Sequence, residues 1–338
     1  MRISARALLA LSVLPVAAAP AAPAGAARSD GTYPFPRSSK ERRVTARDAL
    51  PRYWDDGRAC SVGCRPAGAI SGWPLRPFRA QHPLRAGLNE RRPDDSFHYG
   101  LDIQTSDNSP VYALQAGRAH IIEERGPEER VQVGNYIYWH VHIAVSEGEP
   151  VVPYQTVVGR VKRGFGHLHL SEVDASGRYL NPLRPGGRVL SPWRDTGPPV
   201  IGAPRFLGGG RVVVEAFDPQ SFRRRTTYRT PVLAPAALAW RVFDSRGRRD
   251  GPLHFAYRGS QHLPFSLDRS VWAPGARNPG FTCFATRAIC KPTWRYVLAG
   301  GLAPRLTRSS GLLTVYAWDW QGNVRARDVR LGGGSAAR

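Results

Sequence analysis

The chain is predicted to be all-β, and three observations carry the prediction. Short apolar runs recur between glycines, clusters such as Asp244-Ser245-Arg246-Gly247 have turn composition, and no stretch keeps a long helical period. The 338 residues suffice for about two domains of roughly 150 residues each.

The first 27 residues stand apart. Met1-Arg2-Ile3-Ser4-Ala5-Arg6 is a charged start, Ala7 to Val16 is apolar, and Ala17 to Ala27 is rich in small residues. This is the pattern of a secretory signal peptide, with cleavage expected near Ala26 or Ala27. The apolar run is too short for a spanning helix of ~20 residues, no cysteine follows it to carry a lipid, and no later segment is long and apolar enough to span. Residues 28–70 form a basic, proline-containing segment.

Residues 71–190 read as a compact β region. Its strands are expected at Pro110–Leu114, Arg118–Ile122, Tyr136–Trp139 and Thr156–Val158, which suits a sandwich or partly open barrel. A linker at 191–204, containing Ser191-Pro192-Trp193 and Gly197-Pro198-Pro199, suggests a hinge. Residues 205–331 are again β-rich, with strands expected at Val212–Phe217, Leu238–Phe243 and Leu313–Trp318. The last of these returns through Trp320-Gln321-Gly322-Asn323 into 323–329, a hairpin expected of an immunoglobulin-like sandwich, although the cysteine-tryptophan-cysteine spacing is missing. Residues 332–338 are a glycine-rich tail.

Export fits the cysteines. Cys60 with Cys64, and Cys283 with Cys290, are local pairs that outside the cytoplasm would close as disulfides; a metal role for Cys60-x-x-x-Cys64 is the rival reading. The formal net charge is +22, almost all of it arginine, with lysine only at Lys40, Lys162 and Lys291. For an exported protein the matching polyanions are wall polymers, lipid headgroups and extracellular DNA, and arginine-rich base composition is the bland alternative. No arginine–aromatic array resembles a nucleic-acid motif, so no specific nucleic-acid partner is expected.

Three segments carry chemistry: His98-Tyr99-Gly100-Leu101-Asp102, Tyr138-Trp139-His140-Val141-His142, and Gly166-His167-Leu168-His169. Imidazole and carboxylate are the usual ligands of a catalytic zinc, which takes three protein groups and keeps one position open. On a strand, His167 and His169 share a face about 6–7 Å apart, while Leu168 and Leu170 point into a core. Four extended residues span about 13 Å, too far for His98 and Asp102 to meet one ion, so the chain must bend, and Gly100 permits it. A helix would also bring them together, but Gly100 and Ile103 weaken that option. Tyr138, His140 and His142 alternate onto one strand face, and spacing does not choose between the two histidines. His82, His120, His254 and His262 match no pattern and read as structural or surface residues.

These residues resemble the lysostaphin-like (LytM-type) zinc endopeptidases of peptidoglycan, the twenty-third family of metallopeptidases. The resemblance covers about residues 80–186. It is carried by Phe97–Ile103, Pro110-Val111-Tyr112-Ala113 with Gly117, Tyr138-Trp139-His140-Val141, Gly166–Glu172, and Asn181-Pro182-Leu183. It implies a mostly antiparallel β fold with an open groove and one zinc per chain. It further implies His98, Asp102 and His169 as metal ligands and His140 and His167 as catalytic residues, one taking a proton from water and the other hydrogen-bonding the oxyanion. The implied substrate is a stem or cross-link peptide of bacterial cell wall, with anionic wall polymers as further partners of a secreted, monomeric enzyme. One departure is the loop before His167: Val161-Lys162-Arg163-Gly164-Phe165-Gly166 is shorter than the family's glycine-, serine- and threonine-rich loop. Two rivals are a non-catalytic wall-binding module and a zinc peptidase acting on a non-wall protein.

Overall fold

The computed structural model describes residues 36–51, 70–92, 96–184, 189–207, 211–221, 232–276, 294–299 and 311–331. The signal-peptide reading, the four cysteines and the glycine-rich tail lie outside the described residues. In chain order the strands are β1 (Pro36–Arg43), β2 (Leu84–Ala86), β3 (Leu101–Gln104), β4 (Pro110–Tyr112), β5 (Gly117–Glu123), β6 (Arg130–Val133), β7 (Tyr136–Trp139), β8 (Val141–Ile143), β9 (Pro150–Val151), β10 (Val157–Val161) and β11 (His167–Val173). They continue with β12 (Tyr179–Leu180), β13 (Val200–Ile201), β14 (Arg205–Leu207), β15 (Arg211–Pro219), β16 (Val232–Leu233), β17 (Ala237–Phe243), β18 (His254–Arg258), β19 (Arg295–Ala299), β20 (Leu312–Trp318) and β21 (Val324–Leu331). The single α-helix among the described residues, α1 (Asp268–Val271), is one turn long. The protein is all-β, and its sheets are antiparallel.

The sheet that builds the site runs β2-β3-β11-β7-β6-β5-β9, with β12 on the far end of β11. The second sheet of this half, β4-β10-β8, packs beside it. β11 is the central strand, flanked by β3 and β7, and all seven of its residues are buried. Alternation sends Leu168 and Leu170, both fully buried, to the core and His167 and His169 to the opposite face. At its far end a buried bidentate pair, Arg184 to Glu172 at 2.8 and 2.9 Å, ties β11 to the turn after Asn181.

The rest of the chain forms two further sheets, β1-β21-β20-β17-β18 and β13-β15-β14 with β16 and β19 also on β15. The described strands do not establish an immunoglobulin strand order. β1 comes from the basic N-terminal segment and pairs along β21 from Pro36↔Leu331 to Arg43↔Arg325. The proline-rich stretch is packed: Trp193 is 3 % exposed and its ring lies 6.3 Å from that of Trp73. One hydrophobic core, from Trp73 and Leu84 to Trp318 and Val329, runs through both halves. Gln220 caps β2 from the other half, exchanging two hydrogen bonds with the Leu84 backbone at 2.7 and 2.8 Å. No helix among the described residues is long and apolar enough to cross a membrane.

Candidate metal centre

His98 leads into β3 and Asp102 lies within it. Gly100, between them, sits where β3 meets β11. A Cβ there would lie 2.3 Å from the Leu170 carbonyl oxygen and 2.9 Å from His169 Nε2. Glycine is required for this close approach of backbones, and Gly100 is not among the residues with positive φ. The segment is also braced from below. Asn89 N–H donates to the His98 carbonyl at 2.9 Å and His98 N–H to the Glu90 carbonyl at 3.0 Å. Asn89 and Glu90 in turn accept from Leu263 and Ala234 N–H, so the β-rich C-terminal half supports His98.

Three ligand-type atoms converge. His98 Nε2 lies 3.0 Å from His169 Nδ1 and 3.1 Å from Asp102 Oδ1, and His169 Nδ1 lies 3.2 Å from Asp102 Oδ1. All three residues are buried, at 2 %, 2 % and 6 % exposure. Ligand atoms of a tetrahedral zinc at 2.0–2.2 Å would be about 3.3–3.6 Å apart, so the triangle fits one ion with little adjustment.

The protons agree with this. His98 Nδ1 lies 2.8 Å from the Gly87 carbonyl, which can only accept, so Nδ1 carries the proton and Nε2 turns its lone pair inward. With Ser171 Oγ accepting from His169 Nε2–H at 3.1 Å, His169 Nδ1 does the same. Asp102 Oδ2 accepts from Arg92 at 2.9 Å, but its buried Oδ1 has no hydrogen-bond partner. Burial lowers the His98 imidazole and pushes that of His169 down to about 3, keeping both neutral. Burial would raise the Asp102 carboxyl, but His98, His167 and Arg92 more than reverse this and hold it well below the usual range. Two inward lone pairs and an orphaned carboxylate oxygen lack a positive centre, and a divalent cation is what they fit.

The other two expected residues border the same place. His167 Nε2 lies 3.6 Å from Asp102 Oδ1; its Nδ1 lies 2.7 Å from the Phe165 carbonyl and 3.1 Å from Arg85 Nη1, and with Nδ1–H on the shorter contact Nε2 is the free base. Burial, opposed by Asp102 and aided by Arg85, pushes His167 down to about 4. The His140 ring lies 5.2 Å from His167 and 5.7 Å from His169, stacked on Phe165 at 4.3 Å. Its Nδ1–H donates to the Pro127 carbonyl at 3.0 Å, which again leaves Nε2 for the cleft.

The expected alternation of Tyr138, His140 and His142 along one strand face does not hold. His140 has φ 59° and separates β7 from β8. This left-handed residue turns the His140 ring inward, while His142 is left 67 % exposed, 3.6 Å from Glu129. Sequence reading also missed Arg85, Arg92 and the Gly87 carbonyl. Ser171 was visible only as part of a motif, and its buried place beside His169 was not legible.

The cleft holds about 520 Å³ and is lined by His98, Asp102, His140, His167 and His169 with Arg85, Arg92, Tyr99 and Glu128 around them. In these residues and their order the chain resembles the lysostaphin-like zinc endopeptidases. No family model and no curated protein matches the sequence. Among solved structures it is similar to a Pseudomonas aeruginosa protein described as a peptidase M23, at 21% identity and TM-score 0.24 over 36% of this chain and 56% of that one. It is also similar to lysostaphin from Staphylococcus simulans, at 13% identity and TM-score 0.28 over 80% and 96% of the two chains. A solution structure of lysostaphin gives 13% and 0.27 over 81% and 96%. The chain thus spans about half the length of the Pseudomonas protein. These scores are low, and the residues of the cleft carry the functional reading.

Proposed function

We propose that this chain is a secreted zinc endopeptidase that hydrolyses peptide bonds of bacterial peptidoglycan. The observation that supports it best is the meeting of His98 Nε2, His169 Nδ1 and the orphaned Asp102 Oδ1 at the floor of an open cleft. In this reading residues 71–190 are the peptidase unit, 191–204 the connection, and 205–331 a second unit that braces it.

His98, Asp102 and His169 would hold one zinc ion per chain. When bound, zinc supplies a water with its pKa lowered towards neutrality and polarises the scissile carbonyl. His167 Nε2, beside Asp102, takes the proton from the attacking water and later passes it to the leaving amine. His140, across the cleft with its ring stacked on Phe165, stands beside the place where the oxyanion would form, and Nε2 donates to it when both ring nitrogens carry protons, Nδ1–H staying on the Pro127 carbonyl. Tyr99, 41 % exposed and packed beside Tyr179 and His262, gives the cleft an aromatic rim for an extended peptide. The net charge of +22 favours an anionic wall as the surrounding phase.

Mass spectrometry of fragments released from purified peptidoglycan tests this. Release should stop with chelator and return with zinc, whereas His169→Ala should not be rescued. Zinc-loaded protein that binds walls but releases nothing would point to the wall-binding module, and cleavage confined to a panel of non-wall peptides would move the substrate elsewhere. Pure protein that takes up no zinc would end the proposal.

A further inference from the structure

A second group of acidic side chains lies outside the cleft. Asp195 follows Trp193 in the proline-rich stretch, Asp218 lies near the end of β15, and Asp319 directly follows β20. Ligand oxygens of all three lie within 4.8 Å of one another. The residues are 2 %, 0 % and 2 % exposed. They are brought together from three segments that are far apart in sequence.

The hydrogen bonds leave the middle of this group unfilled. Asp319 Oδ1 accepts from the N–H groups of Gln321, Gly322 and Asn323 at 2.7–2.8 Å, and its Oδ2 from Asn323 Nδ2 at 2.6 Å. Asp195 Oδ1 accepts from Gly197 N–H at 3.0 Å. Asp195 Oδ2 and both oxygens of Asp218 are buried without a hydrogen-bond partner. Among the described residues no cationic side chain pairs with any of the three, and the charges acting on Asp218 are those of Asp319 and Asp195. Burying three carboxylates together costs several kcal/mol unless protons or a cation neutralise them. Desolvation and this mutual repulsion push Asp218 well above the carboxylate range.

We propose that Asp195, Asp218 and Asp319 form a structural site for a hard divalent cation, calcium first, separate from the histidine site. The donors are all oxygen, which suits calcium and magnesium and not zinc. Calcium–oxygen bonds of 2.3–2.6 Å allow ligand oxygens to lie up to about 4.6–5.2 Å apart, and these three lie within 4.8 Å of one another. Asp319 is oriented by the four hydrogen bonds of its turn, although burial and the neighbouring Asp195 push its carboxyl up to about 7, and the unpartnered Asp218 completes the site from β15. The ion would fasten the proline-rich stretch to both sheets of the C-terminal half. Asn323 Nδ2, which also donates to the Asp195 carbonyl at 2.8 Å, already links two of the three segments.

The test uses the full, zinc-loaded chain in buffer freed of calcium by chelating resin. Calcium chloride or magnesium chloride is titrated while Tm is followed by calorimetry, and bound metal is counted by mass spectrometry. Calcium should raise Tm by several degrees in a saturating manner, with one calcium retained per chain. Asp218→Asn should abolish that shift, while its Tm without calcium equals or exceeds that of the parent because a repelling buried charge is gone. The absence of any shift with either ion would overturn the proposal, and so would a shift that survives unchanged in Asp218→Asn.

Discussion

Ser171 Oγ lies 3.1 Å from His169 Nε2, and both side chains are buried. The same oxygen accepts from Trp139 Nε1–H at 3.1 Å, so β7 and β11 are joined directly behind a proposed ligand. The hydroxyl fixes which nitrogen of His169 faces Asp102. Ser171→Ala should therefore weaken zinc affinity by about 10–100-fold while leaving the ligand set intact. Competition against a chromogenic chelator measures the affinity. Activity should recover when zinc is raised to saturate the weakened site.

His140 and His142 are separated by one residue and by their surroundings. His140 faces His167 across the cleft, whereas His142 is 67 % exposed beside Glu129. His140→Ala should lower kcat/KM on a peptide substrate by about 10²–10⁴-fold with zinc still bound. His142→Ala should change it less than about twofold. Equal losses in the two variants would refute the assignment of His140 to the cleft.

Gly100→Ala offers a test of packing beneath the metal. The added Cβ would meet the Leu170 carbonyl oxygen at 2.3 Å and His169 Nε2 at 2.9 Å, neither of which can move without disturbing β11. The expected loss is about 3 kcal/mol of stability. Zinc affinity should fall with it, since the clash bears on His169. Thermal unfolding with and without zinc separates the two effects.

Parts of this arrangement were legible as local pattern. His167-Leu168-His169 shows its two faces by strand alternation, and β7 falls on the expected Tyr136–Trp139. What was not legible depends on partners distant in sequence or on backbone atoms. The Gly87 carbonyl that orients His98 has no side-chain signature. The left-handed His140 breaks an alternation that composition alone would continue. Gly100 was read as a bend, but the structure needs its missing Cβ because β11 passes so close. The pairing of β1 with β21 joins residues almost 300 positions apart, as in Arg42 to Asp328 at 2.7 Å, and no local pattern announces it.

That pairing leads to a pH prediction. Asp48, fully buried, accepts from both terminal nitrogens of Arg42 at 2.6 and 2.8 Å, from Thr45 N–H at 2.8 Å and from Tyr316 O–H at 2.9 Å. Burial pushes its carboxyl up, but Arg42 and the other donors prevail and pull it down to about 2. The folded state thus binds this proton less readily than the unfolded chain. The stabilisation is fully present above the ordinary carboxylate value near 4 and is lost as pH falls towards about 2. Its size is about 2 kcal/mol. In Asp48→Asn, stability at neutral pH should drop by at least that amount, because the Arg42 charge loses its partner. The variant should also show a shallower decline between pH 4 and 2. Denaturant unfolding at several pH values measures both, and a parallel decline in parent and variant would show that Asp48 does not hold β1 against β21.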